Sequence, residues 1–155
     1  AKLCGATVFG IDFPGEKLNA IQDMGADLAL SANSDWPLEV LERTGGTGAE
    51  KIIQLVGGGT YESSFRCLAV GGRMVIIGTH TGLEMSISGI EILTKEWEIL
   101  GSRNTTKQEL AEVADLAGRG VLKPVISQIF GFEDLEKAHA VLREGNIPGR
   151  VVVRI

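Results

Sequence analysis

The sequence predicts an α/β fold with a parallel sheet flanked by helices, and three observations carry that expectation. Short apolar, β-rich runs recur along the chain, stretches with helical spacing alternate with them, and glycines mark many of the boundaries. Ala1 to Gly5 reads as the last turn of a helix ending at Gly5. Thr7 to Asp12 is the first strand, and Gly15 to Met24 is a helix with Leu18, Ile21 and Met24 on one face, closed by Gly25. Asp27 to Ser31 is a second strand. A helix over Trp36 to Thr44 has Ser34 and Asp35 as cap candidates and Pro37 in its first turn. Lys51 to Val56 is a third strand, Tyr61 to Ala69 a helix, Arg73 to Ile77 a strand, Ile90 to Lys95 a short helix and Trp97 to Leu100 a strand. Apolar strands separated by helices indicate a parallel sheet covered on both faces.

After Arg103 the texture changes. A long amphipathic helix over Lys107 to Ala117 meets the stop Gly118-Arg119-Gly120, followed by an extended run Val125 to Phe130, a helix Phe132 to Arg143 and a terminal strand Arg150 to Ile155. This last portion need not belong to the same sheet.

Composition narrows the function classes. The 155 residues are 44% hydrophobic and 23% charged, typical of an ordinary globular chain, and with 5% aromatics the core must be aliphatic. Glycine, at 21 residues against only 4 prolines, is in an excess that suits tight turns rather than a linker. The net charge is -5 and no Lys/Arg cluster is present, which argues against a nucleic-acid partner. No apolar run approaches the ~18 residues of a membrane span. Cys4 and Cys67 are too few for a disulfide framework, so a reduced, cytoplasmic setting is expected.

Candidate chemistry sits at the strand ends. Asp12 ends a strand where open parallel sheets bind ligands, and a carboxylate there accepts hydrogen bonds from both hydroxyls of an adenosine ribose, which favours NAD over NADP. A turn or cap aspartate before Phe13-Pro14-Gly15 is the equal alternative. Lys17, five residues on, either swings back to the same ribose or is a solvated surface residue. Gly57-Gly58-Gly59 follows a strand and precedes a helix, so its backbone could approach a ligand closely, although it has neither the G-x-G-x-x-G nor the P-loop spacing. Gly45-Gly46-Thr47-Gly48 reads as a turn, and Gly71-Gly72 as a helix stop before a strand ending at Gly78. His80 reads as a loop histidine, His139 as a packing or surface residue, and Cys67 and Cys4 as inert small hydrophobes. No residue set here could run chemistry unaided, so no catalytic residue is expected.

In order and spacing, six pieces together resemble the medium-chain dehydrogenase/reductase superfamily, the group of zinc-type alcohol dehydrogenases and quinone oxidoreductases. The pieces are Ala6 to Asp12, Lys17 to Asp27, Gly71 to Gly78, Leu100 to Arg103, Gly120 to Pro124 and Gly149 to Val153. The resemblance implies a Rossmann-like cofactor domain over residues 1–103, lacking the first strand and its glycine-rich loop, and the family's C-terminal segment over 104–155. It implies that Asp12 binds the adenosine ribose, Phe13 packs on adenine and Lys17 supports the ribose. Val56 and Gly57 would border the nicotinamide ribose. Ile77, Gly78 and Thr79 would meet the nicotinamide carboxamide through main chain, as would Gly101 and Arg103, and Arg150 would stand near the pyrophosphate. Arg103 departs from the pattern, since an apolar residue often stands there.

Relative to that family, the chain reads as starting after the phosphate loop and without the catalytic domain that supplies zinc ligands and the proton relay. Zinc is then expected only in an intact parent, not on this chain. In the strand order 3-2-1-4-5-6 the first strand is central. Without it the strands Thr7 to Asp12 and Lys51 to Val56 expose backbone unless they pair with each other or with another chain, so either closure of that gap or a homodimer, with strand exchange as one form of it, is expected. Two functions compete: the cofactor-binding part of an NAD(H)-dependent alcohol dehydrogenase-like oxidoreductase, and a free-standing truncated module that binds nucleotide or dimerises without catalysis. An unrelated α/β nucleotide or methyl-donor binder is disfavoured by the match over Gly120 to Ile155.

Overall fold

The computed structural model describes residues 1–155. A 3-10 turn at Lys2–Cys4 precedes β1 (Phe9–Asp12), α1 (Glu16–Asp23), β2 (Leu28–Ser31), α2 (Trp36–Arg43) and β3 (Ala49–Gln54). Then come α3 (Thr60–Cys67), β4 (Leu68–Ile76), α4 (Gly89–Lys95) and β5 (Glu98–Gly101). The chain ends with α5 (Lys107–Gly118), β6 (Ile126–Gly131), a 3-10 turn at Phe132–Asp134, α6 (Leu135–Glu144) and β7 (Arg150–Arg154). These elements form two compact units, one of residues 1–34 with 105–155 and the other of residues 35–104.

In the first unit β1 and β2 pair in parallel, from Phe9 opposite Leu28 to Asp12 opposite Ser31. Helix α1 packs on this pair. Its contact explains Gly10, because a Cβ there would stand 2.5 Å from Ile21 Cγ2. Asp27 ties the entry to β2: its carboxylate accepts the Val8 N–H at 2.7 Å and the Lys2 Nζ at 2.8 Å, and its own N–H donates to Val8 O at 2.9 Å. β6 and β7 form a second parallel pair on which α6 packs, with Ala138 buried. Helix α5 begins with a reciprocal cap, Thr106 accepting the Glu109 N–H while the Glu109 carboxylate accepts the Thr106 N–H.

In the second unit β3, β4 and β5 are parallel neighbours in that order. Ile52, Met74 and Ile99 share one register row, and Gln54, Ile76 and Gly101 another. The core gathers Tyr61, Leu68, Met74 and Trp97, with Ile52, Phe65, Ile76, Met85 and Ile87 packed against it. Burying such large side chains contributes roughly 1.5–3 kcal/mol each and supplies most of the gain against chain entropy.

Several expectations are corrected. Coverage on both sheet faces does not hold, because alternation along a strand sends Ile53 and Leu100 to the face opposite the core, where Ile53 is 59% exposed. The third strand stops at Gln54 rather than Val56, since Leu55 and Val56 turn outward and are exposed. Helix α3 ends at Cys67, and the chain is already extended at Leu68, so Gly71 (φ +67°) sits at a break inside β4 rather than at a helix stop. There the pairing to β3 jumps from Ala49 opposite Leu68 to Lys51 opposite Arg73. Asp35 occupies the N-cap of α2 without a side-chain cap bond, because its carboxylate pairs with Arg66. The expected pairing of β1 with β3 is not formed: β1 is bonded only to β2 and β3 only to β4.

Candidate functional site

All three strands of the second unit run the same way, so their carboxyl ends lie on one edge beyond the row Gln54, Ile76 and Gly101. The ladder continues one step past the strands. Ile77 N–H donates to Gln54 O at 2.9 Å and Ser102 N–H to Ile76 O at 2.9 Å. Val56 and Gly57, Ile77, Gly78 and Thr79, and Gly101 and Arg103 therefore follow three adjacent strand ends on one edge. This juxtaposition unites residues up to 47 positions apart (103 − 56).

The β3–α3 turn is held from inside. Gln54, only 6% exposed, points its carboxamide into the turn. Its Oε1 accepts the Val56 N–H at 3.0 Å and the Gly57 N–H at 3.3 Å, while Nε2 donates to Ser64 Oγ at 2.9 Å and to Thr60 O at 3.4 Å. The carbonyls are taken as well: Thr81 N–H donates to Val56 O, and the Thr60 and Thr81 hydroxyls donate to Gly57 O at 2.7 and 2.9 Å. With both N–H groups and both carbonyls engaged, the turn offers a ligand its shape and the exposed Val56 side chain.

The glycines of this edge have internal reasons to be glycine. Gly57 has φ +81°, and a Cβ on it would stand 2.8 Å from Thr79 Cα and 2.9 Å from Gly82 O. A Cβ on Gly78 would run into Leu55 O, so β3 and β4 meet there without room for a side chain. A Cβ on Gly101, by contrast, would meet nothing within 4 Å, and Gly101 is exposed at the end of β5.

In the first unit Asp12 ends β1. Its Oδ1 accepts the Phe13 N–H at 2.8 Å and lies 3.6 Å from Lys17 Nζ, so Lys17 does swing back from the first turn of α1. The turn aspartate and the paired carboxylate are thus one arrangement, with Oδ1 used inside the protein. Phe13 is 61% exposed beside it. Arg150 opens β7, in the other sheet of this unit, exposed and without an ion pair to Asp12.

The residues weighed as reactive show no catalytic arrangement. Burial pushes the Cys67 thiol up to about 11, which leaves it protonated at neutral pH. His80 and His139 are exposed. No group of three His, Cys, Asp or Glu side chains is placed to hold a metal ion, so zinc does not fit this chain's own residues. Each unit taken by itself carries groups suited to part of a nucleotide: in the first, an acidic strand end with a lysine beside it suits a ribose, and in the second, the exposed strand end at Gly101 suits an amide. Gln54, Thr60 and Thr81 went unnoticed in the sequence, where the only signal was a lone polar residue within the run Ile52-Ile53-Gln54-Leu55-Val56.

Comparison with known proteins follows the same lines. A family model for zinc-binding dehydrogenases matches residues 24–153. An NAD-dependent alcohol dehydrogenase of Sulfolobus acidocaldarius is 30% identical over 97% of this chain and 44% of its own length. A D-arabinose 1-dehydrogenase (NADP(+)) of Saccharolobus solfataricus is 29% identical over 95% of this chain and 42% of its own. The crystal structure of an NAD-dependent alcohol dehydrogenase superposes with a TM-score of 0.92 at 33% identity, covering all of this chain and 46% of that one. The chain thus spans less than half the length of these three relatives.

Proposed function

Because this chain belongs to the zinc-binding dehydrogenase family, within the medium-chain dehydrogenase/reductase superfamily, we propose that it forms the cofactor-binding part of an NAD(H)-dependent alcohol dehydrogenase-like oxidoreductase. The observation that carries the reading is the edge of the second unit, where Val56, Gly57, Ile77, Gly78, Thr79, Gly101 and Arg103 follow three adjacent strand ends. Ligands of open parallel sheets bind at the carboxyl ends of the strands. Val56 and Gly57 would border the nicotinamide ribose by shape, and the main chain of Ile77, Thr79, Gly101 and Arg103 would meet the carboxamide. Asp12, with Lys17 beside it, would take the adenosine ribose, Phe13 would pack on adenine, and Arg150 would serve the pyrophosphate. Residues 1–103 would then act as the cofactor domain and 104–155 as the family's C-terminal segment. When bound, the reduced dinucleotide would supply hydride to a carbonyl, and the oxidised form would accept it from an alcohol. This chain's residues hold and orient the dinucleotide.

The carboxylate at Asp12 supports NAD over NADP, because a 2′-phosphate would face a negative charge. Fluorescence titration with NADH and NADPH tests this. The expected result is an NADH preference that Asp12→Ala removes. Failure of both nucleotides to bind would take cofactor binding away from the chain while leaving its family untouched. Two unpaired cysteines fit a reducing, cytoplasmic setting.

A homodimer is proposed on a separate observation, the open edges of β1 and β3. Unpaired strand edges recruit another strand, and a second copy supplies one symmetrically. Sedimentation equilibrium showing only monomer across the micromolar range overturns it.

A further inference from the structure

We infer that Gln54 is a positioning residue that sets the β3–α3 turn for the nicotinamide end of the dinucleotide. The inference rests on the proposed assignment of Val56 and Gly57 to the nicotinamide ribose, and it adds a residue that touches no ligand itself. The argument starts from an anomaly of composition. A carboxamide is costly to bury unless its hydrogen bonds are met, and Gln54 is almost fully buried at the end of β3, within the otherwise apolar run Ile52 to Val56. All its capacity is spent on one turn. Oε1 takes two consecutive backbone N–H groups, of Val56 and Gly57, and Nε2 is anchored to Ser64 Oγ and Thr60 O on α3. Ser64 is anchored in turn, its hydroxyl donating to Thr60 O at 2.9 Å.

This geometry has a specific consequence. Gly57 stands in a left-handed conformation (φ +81°) that packs against Thr79 and Gly82, and glycine has the widest conformational freedom of any residue. A Gly-Gly-Gly segment left to itself would sample many turns. The paired acceptor of Gln54 on one side, and the Thr60 and Thr81 hydroxyls on the other, select one. Val56 is thereby held exposed at the end of β3, where the nicotinamide end is assigned. Gln54 thus converts a flexible glycine turn into a preorganised wall, which lowers the ordering cost of binding. A chain-wide structural role would weaken every ligand alike. Positioning at one end predicts a selective effect.

The test uses the full chain and two readouts. Amide hydrogen exchange at Val56 and Gly57 reports the turn without ligand, and titrations with NADH and with ADP-ribose, which lacks the nicotinamide, separate the two ends. In Gln54→Leu the two amides are expected to exchange about tenfold faster or more, with those of Met74 and Val75 unchanged. NADH should bind about tenfold more weakly, while ADP-ribose stays within about twofold. Gln54→Glu keeps the paired acceptor but sets a carboxylate oxygen against Thr60 O, so it should protect the two amides better than Gln54→Leu does while lowering stability. If Gln54→Leu does not fold, Gln54→Asn, whose amide is drawn back by one methylene, carries the same expectation. Unchanged exchange at Val56 and Gly57 overturns the proposal, as does an equal loss of NADH and ADP-ribose. A wild-type chain that binds neither nucleotide removes the cofactor assignment and with it the ligand half of this inference, while exchange still decides whether Gln54 sets the turn.

Discussion

The indole of Trp97 stacks on the ring of Phe65, with centroids 5.2 Å apart and planes inclined by 25°, and its Nε1–H donates to Ala69 O at 2.9 Å. One side chain thus ties the entry of β5 to α3 and to the start of β4. Trp97→Ala should lower stability by about 3–5 kcal/mol, because it opens a cavity and also strands a buried carbonyl. Trp97→Phe keeps most of the packing and should cost about 1–3 kcal/mol for the unmet Ala69 O. Urea unfolding followed by far-UV circular dichroism reads both, and equal losses for the two variants would contradict the role of the indole N–H.

The glycines at the strand edge separate by their surroundings. Gly78→Ala drives a Cβ into Leu55 O and Gly57→Ala strains a φ of +81° while crowding Thr79, so each should cost about 2 kcal/mol or more. Gly59→Ala is the control, with nothing within 4 Å of its Cβ and an ordinary φ of -60°, and should change stability by no more than about 0.5 kcal/mol. Thermal melting of the three variants gives the comparison, and three equal shifts would refute it.

Acid sensitivity follows from Asp27. The hydrogen bond from the Lys2 ammonium, and then that from the Val8 N–H, hold its carboxyl below the ordinary 3.8. Its folded value therefore lies under its unfolded one, so the stabilisation is fully present above about pH 4 and is lost as pH falls through the folded value. Carboxyl carbon NMR should place the Asp27 midpoint below 3.8, and Lys2→Met should raise it. Because the pair is exposed, salt should weaken the effect of Lys2. A midpoint at or above 3.8 in low salt would rule out the tie.

Thiol chemistry should distinguish the two cysteines. Cys4 is exposed and Cys67 is buried, with its thiol pushed up to about 11 by desolvation. An aromatic disulfide reagent at pH 8 should label Cys4 readily and Cys67 only after denaturant is added. Equal labelling rates in native buffer would show that α3 opens far more often than its burial suggests.

Much of the fold is written locally, and that is why it was legible in the sequence. The alternation of apolar strands with amphipathic helices, the close of the first helix before Gly25 and the return of Lys17 to Asp12 across five residues all depend on neighbours in the chain. Chain periodicity and turn chemistry determine such features directly. Even the reciprocal cap of α5 was present as Thr106-Lys107-Gln108-Glu109, although its meaning is confirmed only by the two hydrogen bonds.

The tertiary structure decided which strand ends share an edge, because strand pairing joins Gln54, Ile76 and Gly101 across separations no local pattern encodes. It placed Leu55 and Val56 outside the strand that their apolar character suggested, and it left Ile53 and Leu100 on an open face. It showed that β1 and β3 keep separate partners. It also turned Gln54 from an odd polar residue in an apolar run into the anchor of a turn, since a side chain's hydrogen-bond partners exist only once α3 and β3 have packed together.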